Sequence, residues 1–275
     1  MPTCVGKLET LRLYRRAYRN WISALAAIKL GKSKVRVVLR NGKGGEVSAK
    51  DAYHIALLIK SGFDVIDIDS YMHRIIFSYN GIEVKFYGFE YSDIRATLND
   101  YKWLDVKRKR VLDVGASIGD TAIYFALRGA KEVVAFEPYP FPFSYAKRNL
   151  EENSVSNVVL VNAAVGGSDG AITLTTGETN TGTTLKPSPD GVQVPIYSLD
   201  TVIERYGPFD VMKMDCEGCE YDAILNSRRI GEIEQMQIEY HGKGPESLVE
   251  RLKNLGFSVR FTGSKDIGYV YAQKL

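Results

Sequence analysis

The chain has 275 residues, of which 45% are hydrophobic and 25% are charged. That length and composition suffice for the core of one domain, or of one domain with a small appendage. No apolar run reaches the roughly 18 to 20 residues that cross a bilayer. The N-terminus lacks the basic stretch, apolar stretch and cleavage site of a secretory signal, so we expect a cytoplasmic protein with no transmembrane segment.

The positive charge is concentrated near the N-terminus. Residues 1–50 carry twelve Lys or Arg against two Glu, although the whole chain has a formal net charge of only +3. Apolar side chains recur at helical spacing at Leu11, Tyr14, Tyr18, Trp21, Leu25 and Ile28. We predict a basic amphipathic helix over 11–30. Its basic face is either simply solvated or a surface for an acidic partner such as RNA, an anionic glycan or a membrane.

Residues 34–90 have the pattern of a small α+β appendage. Short β-like runs flank Asn-Gly pairs at 41–42 and 80–81, which are strong hairpin signals. Between the two hairpins, residues 48–63 have the periodicity of a helix. We therefore predict one domain over 1–90, with the basic helix and the appendage, and a second domain over 91–275.

Strands and helices alternate in the second domain. Strand-like runs lie at 110–115, 132–136, 157–161, 209–214 and 233–239, and helical patterns follow four of them. Such a series predicts an α/β fold with a mostly parallel sheet covered on both faces. The last two runs, GFSVRFTG and IGYVYAQ, are separated by a short polar turn and must pair antiparallel. A parallel sheet closed by a C-terminal hairpin is typical of class I, Rossmann-like methyltransferases.

The glycine turn after the first strand reads VLDVGASIGD, residues 111–120. A dinucleotide fold needs G-x-G-x-x-G there, so that the backbone can approach a pyrophosphate. The matching positions here are Gly115, Ser117 and Asp120, so a phosphate would meet added bulk and a like charge. S-adenosylmethionine carries no phosphate, and its ammonium, sulfonium and ribose diol suit carboxylates. We predict that it binds here, at Asp113, Gly115, Ala116, Gly119 and Asp120.

The second strand ends in Glu137, within VVAFEP. A carboxylate at the tip of that strand is placed to accept hydrogen bonds from both ribose hydroxyls of a nucleoside cofactor. Glycine turn and acidic strand end are each weak signals alone. Together, in the right βαβ order, they favour S-adenosylmethionine as the cofactor.

A second group of acids follows the strand DVMKMD. Asp215 ends this strand at the carboxyl edge of the sheet, where ligands bind in such folds, and Glu217 comes two residues later. Glu239 and His241 follow the next strand to the same edge. Each of the four is a candidate general base, and His241 has the most suitable ordinary pKa, near 6.5. His241 is alternatively a surface residue of its turn.

A metal ion is a further alternative at this edge. Asp215 and Glu239, at the tips of neighbouring strands, would hold Mg²⁺ that acidifies an acceptor hydroxyl. We favour a site without metal. We also expect Cys216 and Cys219 to be packing residues, because three cysteines are too few for a disulfide framework and the C-x-x-C has no second ligand pair for zinc.

Several stretches together resemble one known family. They occur in the order VLDVGASIGDTAIYFA, VVAFEPYP, VVLVNAAVGGSDG, YSLDTVI, VMKMDCEGCEYDAIL and MQIEYHG. The chain resembles the FkbM-type S-adenosylmethionine-dependent methyltransferases over roughly 88–275. The resemblance implies a class I fold and methyl transfer to a hydroxyl of a sugar, glycan or small molecule such as a polyketide. It also implies that Asp113, Gly115, Gly119 and Glu137 serve the cofactor.

Two further residues enter through the resemblance. Where an acid often reads the adenine amino group after the third strand, this chain has Asn162 as the nearest substitute. Glu90 stands upstream of the glycine turn, where the family often has a Glu. The long connection 175–191, rich in Gly, Thr and Pro, is predicted to be a mobile flap over the acceptor site.

Two other functional classes remain open. An RNA methyltransferase would use the basic N-terminal segment with Tyr14, Tyr18 and Trp21, because phosphate affinity and base stacking need those residue types. An amino-group methyltransferase is disfavoured, since MDCEGCE stands where N-P-P-Y or D-P-P-Y would be. The third class is a binding module that keeps the fold without catalysis.

Overall fold

The chain folds as two units in a computed structural model, residues 1–96 and 97–275. The structure describes residues 7–91, 100–179 and 183–275. Over these ranges, every helix is too short or too polar to cross a membrane.

The N-terminal basic segment forms two helices, so the prediction of one helix over 11–30 was wrong. Helix α1 spans Lys7–Ala17 and α2 spans Trp21–Lys29. Between them Tyr18 forms an antiparallel bridge with Leu39, and the Asn20 side chain bonds the backbone of the neighbouring strand. Tyr18 still donates to the carbonyl of Tyr14, but the N–H of Arg19 donates to Val38 instead of a helical carbonyl, so the helix ends there.

The rest of the first unit is a small α+β arrangement. Two strands form one antiparallel pair, three more form an antiparallel sheet, and a helix lies between them in sequence. Both Asn-Gly pairs lie in the turns of hairpins, as their sequence predicts. The elements are β1 Lys34–Val38, β2 Gly44–Ser48, α3 Ala49–Lys60, β3 Asp64–Asp69, β4 Arg74–Tyr79 and β5 Ile82–Tyr87.

The second unit contains a seven-stranded sheet. Its strands are β6 Arg110–Val114, β7 Glu132–Phe136, β8 Val158–Val161, β12 Val211–Met214, β13 Gln235–His241, β14 Phe257–Gly263 and β15 Ile267–Lys274. Their order across the sheet is β14-β15-β13-β12-β6-β7-β8. All neighbours from β8 to β13 are parallel, whereas β15 is antiparallel to both β13 and β14. The predicted parallel sheet with a C-terminal hairpin is thus confirmed.

Helices follow the strands where the sequence indicates them. They are α4 Asp120–Leu127, α5 Pro140–Glu152, α6 Leu199–Tyr206, α7 Glu220–Asn226 and α8 Glu246–Asn254. A second, three-stranded sheet was not predicted and consists of β9 Ala164–Gly166, β10 Gly170–Leu174 and β11 Val192–Ser198. β9 has only three residues, and β10 and β11 are partly exposed, so none of the three has the buried apolar run of a main-sheet strand.

The two central strands, β6 and β12, carry the core of the sheet. Val111, Leu112, Val211 and Met212 are all fully buried. The same strands also bury a charged pair, because Asp113 lies opposite Lys213 in the parallel register. Buried charges in a central sheet are rare unless they are paired, and this pair lies directly below the strand ends that form the site.

Candidate active site

The glycine turn after β6 is shaped by close backbone packing. Gly115 has φ +79°, and a Cβ there would lie 1.7 Å from the carbonyl oxygen of Asp215. Gly119 has φ +83°, and a Cβ there would lie 3.2 Å from Ala146 of α5. Both glycines therefore let neighbouring elements approach the turn, the first from the tip of β12 and the second from a helix. Ala116 is fully buried between them.

Glu137 fastens this turn to the end of β7. Its Oε2 accepts a hydrogen bond from the backbone N–H of Ser117 at 2.9 Å, and its Oε1 accepts one from the N–H of Tyr139 at 2.9 Å. Burial raises the pKa of Glu137 to about 7, although the two backbone hydrogen bonds and the charge of Lys213 lower it. Asn162 supports the same corner, since its amide nitrogen donates to the carbonyl oxygens of Glu137 and Pro138.

Asp113 and Lys213 form a buried ion pair under the turn. Lys213 Nζ is 3.3 Å from Asp113 Oδ1 and donates to the carbonyl oxygens of Gly115 at 2.5 Å and Val114 at 3.2 Å. Thr121 Oγ1 donates to Asp113 Oδ2 at 2.6 Å. Burial lowers the pKa of Lys213, but the nearby carboxylates, Asp113 first, outweigh it and raise the pKa above its ordinary value. The lysine is therefore charged.

The two acids predicted in this turn, Asp113 and Asp120, are both buried. The Asp113 carboxylate is fully buried and committed to Lys213 and Thr121, so its role is to hold the turn from below. Asp120 is 2% exposed at the first position of α4, where the positive end of the helix favours a carboxylate. Lys213 was not predicted as a site residue. The signal for it in the sequence is a single charged residue inside the apolar run VMKM.

The four catalytic candidates meet at the carboxyl edge of the sheet. His241 Nε2 lies 3.5 Å from Glu217 Oε2 and 3.9 Å from Glu239 Oε1. One carboxylate oxygen of Asp215, one of Glu217 and one ring nitrogen of His241 lie within 4.8 Å of one another. We call Asp215, Glu217, Glu239 and His241 the acidic cluster. The structure thus brings these four predicted residues together.

Two buried side chains support the acidic cluster from behind. Glu220 Oε1 lies 3.2 Å from His241 Nδ1 and accepts the backbone N–H groups of Cys216 and Gly218. The Tyr101 hydroxyl is 3.3 Å from Asp215 Oδ2 and 3.4 Å from a Glu239 oxygen. Burial raises the pKa of Tyr101 well above its ordinary value, so the hydroxyl keeps its proton and donates. Glu220 and Tyr101 therefore fix the orientation of their partners.

The charges in the acidic cluster shift one another. Burial lowers the pKa of His241, but the hydrogen bond with Glu220 and the charges of Glu217, Glu220 and Asp215 outweigh it and raise the pKa to about 9. Burial and the charge of Asp215 raise the pKa of Glu239 to about 8. Burial also raises the pKa of Glu217. The ordinary value of 6.5 thus does not apply to His241, which carries its proton at neutral pH.

The loop that carries Glu217 is closed by a disulfide. Cys216 and Cys219 pack against the core, as predicted, but they are also bonded to each other, which was not predicted. Their Cα atoms lie 5.5 Å apart, within the usual range for a disulfide. Between them, Glu217 has φ +55° and Gly218 has φ +117°. The tight left-handed turn brings the cysteines together, which the C-x-x-C spacing alone does not show.

Two other predicted features have contacts of their own. Glu90 belongs to the first unit, where its carboxylate pairs with His73 Nδ1, and its role toward the cofactor stays a prediction. Residues 180–182 of the predicted flap lie outside the described ranges. In the part that follows, the carbonyl of Thr184 accepts from the Tyr139 hydroxyl, and the Lys186 N–H donates to that hydroxyl.

The sheet order and the site at its carboxyl edge define a class I, Rossmann-like methyltransferase. Ser117 and Asp120 stand in the turn where a dinucleotide pyrophosphate would need glycines. The sequence profile of the methyltransferase FkbM domain matches residues 113–259, which is more than half of the chain. The chain therefore belongs to the FkbM methyltransferase family, whose members use S-adenosylmethionine.

Solved structures align with parts of this chain at low identity. Methyltransferase FkbM from Methylobacillus flagellatus aligns with a TM-score of 0.47 and 17% identity, over 63% of this chain and 46% of that chain. Trm5b from Pyrococcus abyssi aligns with a TM-score of 0.42 and 17% identity, over 76% and 61% of the two chains. An rRNA methylase from Streptococcus thermophilus has a TM-score of 0.42 and 13% identity, over 65% and 92%. No curated protein matches the sequence significantly.

Proposed function

We propose that the protein transfers the methyl group of S-adenosylmethionine to a hydroxyl of a sugar, glycan or small molecule. The acidic cluster is the main observation that supports this proposal. An alcohol must lose its proton as it attacks a methyl group, and the carboxylates of Asp215 and Glu217 lie together at the carboxyl edge of the sheet. Hydroxyls of a sugar also donate hydrogen bonds to such oxygens, which would orient the acceptor.

The cofactor residues and the acidic cluster lie at the ends of different strands and have different roles. Bound S-adenosylmethionine supplies the methyl group on a sulfonium. Glu137 would accept the ribose hydroxyls, while Lys213 holds the turn beneath through the carbonyl of Gly115. The contact between Gly115 and Asp215 places the acidic cluster beside that turn. Such alignment of donor and acceptor is the main contribution of a protein to an in-line transfer.

Protonated His241 has a supporting part in this scheme. As an imidazolium it lies 3.5 Å from Glu217, so it offsets the negative charge of that carboxylate. We assign proton acceptance to Asp215 and Glu217, with His241 as the residue that orients Glu217. That assignment is opposite to the one that the ordinary pKa of histidine favours.

The RNA alternative loses part of its basis. Tyr14 is 2% exposed and Tyr18 is fully buried, so neither ring is free to stack on a base. Arg12, Arg15, Arg16 and Arg19 of the same segment are exposed. Of the three rings in this segment only Trp21 is partly exposed, and the basic surface fits an anionic glycan acceptor as well as RNA, so we give the glycan first place.

Labelled S-adenosylmethionine tests the acceptor class. The protein is incubated with separated RNA, glycan and small-molecule fractions, and the fraction that gains label is identified. We expect label in the glycan or small-molecule fraction and its release as a methyl ether. Label confined to RNA would refute the proposal.

Variants then test the acidic cluster with the labelled fraction. Asp215→Asn and Glu217→Gln remove one charge each with little change of shape, and we expect turnover to fall by roughly 10² to 10⁴ with cofactor affinity within about twofold. Glu250→Gln, an exposed acid on α8, is the matched control. If both cluster variants keep wild-type turnover and lose only thermal stability, the acids are structural and the proposal fails.

A further inference from the structure

The acidic cluster has the composition of a metal site as well as of a base. We propose that Asp215, Glu217 and His241 form a site for a divalent cation. Their ligand atoms lie within 4.8 Å of one another, and all three side chains are partly buried. Bonds of about 2.0 to 2.2 Å to a shared ion would draw such atoms to roughly 3 to 4 Å from each other. Only a small contraction is needed.

The charge balance of the cluster favours a cation. Asp215, Glu217, Glu220 and Glu239 surround a single imidazole. The nearest lysine, Lys213, is held by Asp113 at 3.3 Å. Grouped carboxylates that are withdrawn from water are normally paired or coordinate a metal. A divalent ion would supply the positive charge that the described neighbours do not.

Glu220 is an independent sign of a ligand at this place. Its side chain is fully buried and directed at the His241 ring, with Oε1 3.2 Å from Nδ1. Among the residues that the structure describes, its Oε2 has no hydrogen-bond partner. A carboxylate on one ring nitrogen is the usual support of a metal-bound histidine, because it fixes the tautomer and directs the other nitrogen at the ion. Here that other nitrogen, Nε2, faces Glu217.

The donor set indicates which ion to test. Two carboxylates and one imidazole suit Mn²⁺, which prefers oxygen ligands and accepts imidazole nitrogen. The ion would replace the proton on Nε2 of His241, as every metal–imidazole bond requires. Cys216 and Cys219 are joined to each other and offer no thiolate. Mn²⁺ is also a better probe than Zn²⁺, because it does not seek thiolates if the disulfide is reduced.

A cation here would act as a Lewis acid on the acceptor. An oxygen bound to a divalent ion loses its proton more readily, and the released proton would pass to water. This use of the ion rests on the proposed O-methylation. The binding of the ion does not, since it depends only on residues of the free protein. The proposal replaces the metal-free site that we favoured from the sequence.

The test is an electron paramagnetic resonance titration of Mn²⁺ into the protein without S-adenosylmethionine or acceptor. We expect one bound ion per chain, and affinity at least tenfold weaker in Glu217→Gln and His241→Gln. Glu220→Gln should weaken binding by about 10 to 100-fold, as the loss of a support to a metal-bound histidine does. Glu250→Gln is the matched control and should bind as wild type. The double variant Cys216→Ser/Cys219→Ser should keep binding, which would exclude thiolate ligands.

Two outcomes would overturn the site. One is a folded wild-type protein that binds no Mn²⁺ at millimolar concentration, and the other is equal affinity in wild type, Glu217→Gln and His241→Gln. Circular dichroism of each variant shows that it is folded. If Mn²⁺ binds as expected but no hydroxyl acceptor is methylated, the cation site stands and the proposed function fails, so the two failures are distinguishable.

Discussion

Replacing Lys213 by Met tests the account of the buried ion pair. The lysine and Asp113 side chains are 2% and 0% exposed, so the substitution leaves a carboxylate without its partner in the middle of the sheet. Breaking a buried pair from one side costs about 3 to 5 kcal/mol of unfolding free energy. For a unit of this size that corresponds to a melting temperature lower by roughly 6 to 20 °C. We expect Lys213→Met to fall in that range.

A double-mutant cycle separates charge from packing. Lys213→Met, Asp113→Asn and the double variant are unfolded by urea, and the unfolding free energies are compared. The double variant buries no unpaired charge, so it should be more stable than Lys213→Met alone by at least about 1 kcal/mol. Calorimetry should also show weaker S-adenosylmethionine binding in Lys213→Met, because the carbonyl of Gly115 loses its donor.

Additive free energies would refute this reasoning. If the double variant loses the sum of the two single losses, within about 0.5 kcal/mol, then Lys213 and Asp113 do not stabilise each other. A loss below about 1 kcal/mol in Lys213→Met would equally show that the pair is not buried as described.

Three more predictions follow from single contacts. Burial raises the pKa of Glu137 to about 7, so its side chain loses its negative charge as the pH falls from 8 to 6. The affinity for S-adenosylmethionine, measured by calorimetry, should therefore drop about tenfold over this range. The affinity of Glu137→Gln should not change with pH. Protein stability should change in the opposite direction. The folded state holds the proton of Glu137 more tightly than the unfolded state, so the contribution of Glu137 to the unfolding free energy decreases as the pH rises from about 4.5 to 7. Urea titrations of wild type and Glu137→Gln check this. Gly115→Ala should lower the unfolding free energy measured in urea by more than about 3 kcal/mol, because its Cβ would lie 1.7 Å from the carbonyl oxygen of Asp215. An unchanged unfolding free energy would show that the two loops do not pack this closely. Reduction of Cys216–Cys219 should cost roughly 2 kcal/mol by the chain-entropy estimate for so short a ring, and a Cys216→Ser protein should show no response of its melting temperature to a dithiol.

The sequence predicts the main sheet well because local signals and burial agree there. The apolar runs at 110–115 and 209–214 form the buried strands β6 and β12, and a short polar turn forces the last two strands into a hairpin. The glycine turn and Glu137 also lie where the βαβ order places them. In each case a single stretch of chain contains the information.

Other features depend on partners far away in the chain. The helix over 11–30 breaks because Tyr18 pairs with Leu39, which no pattern within the segment shows. The pKa of His241 is raised by Glu220, at the start of α7, and by Glu217, in the loop before that helix. Lys213 reads as an anomaly in an apolar strand until Asp113 is seen in register with it. The parts of the site that the sequence misses are therefore pairings.

The contact of Gly115 with the carbonyl of Asp215 also bears on how this enzyme is altered by mutation. The backbone of Asp215 occupies the space that a side chain at position 115 would need. The glycine turn therefore cannot shift unless the loop after β12 moves with it. Substitutions at the two positions should be epistatic, and few single changes there will be tolerated. Directed evolution toward new acceptors should therefore begin at positions outside these two loops.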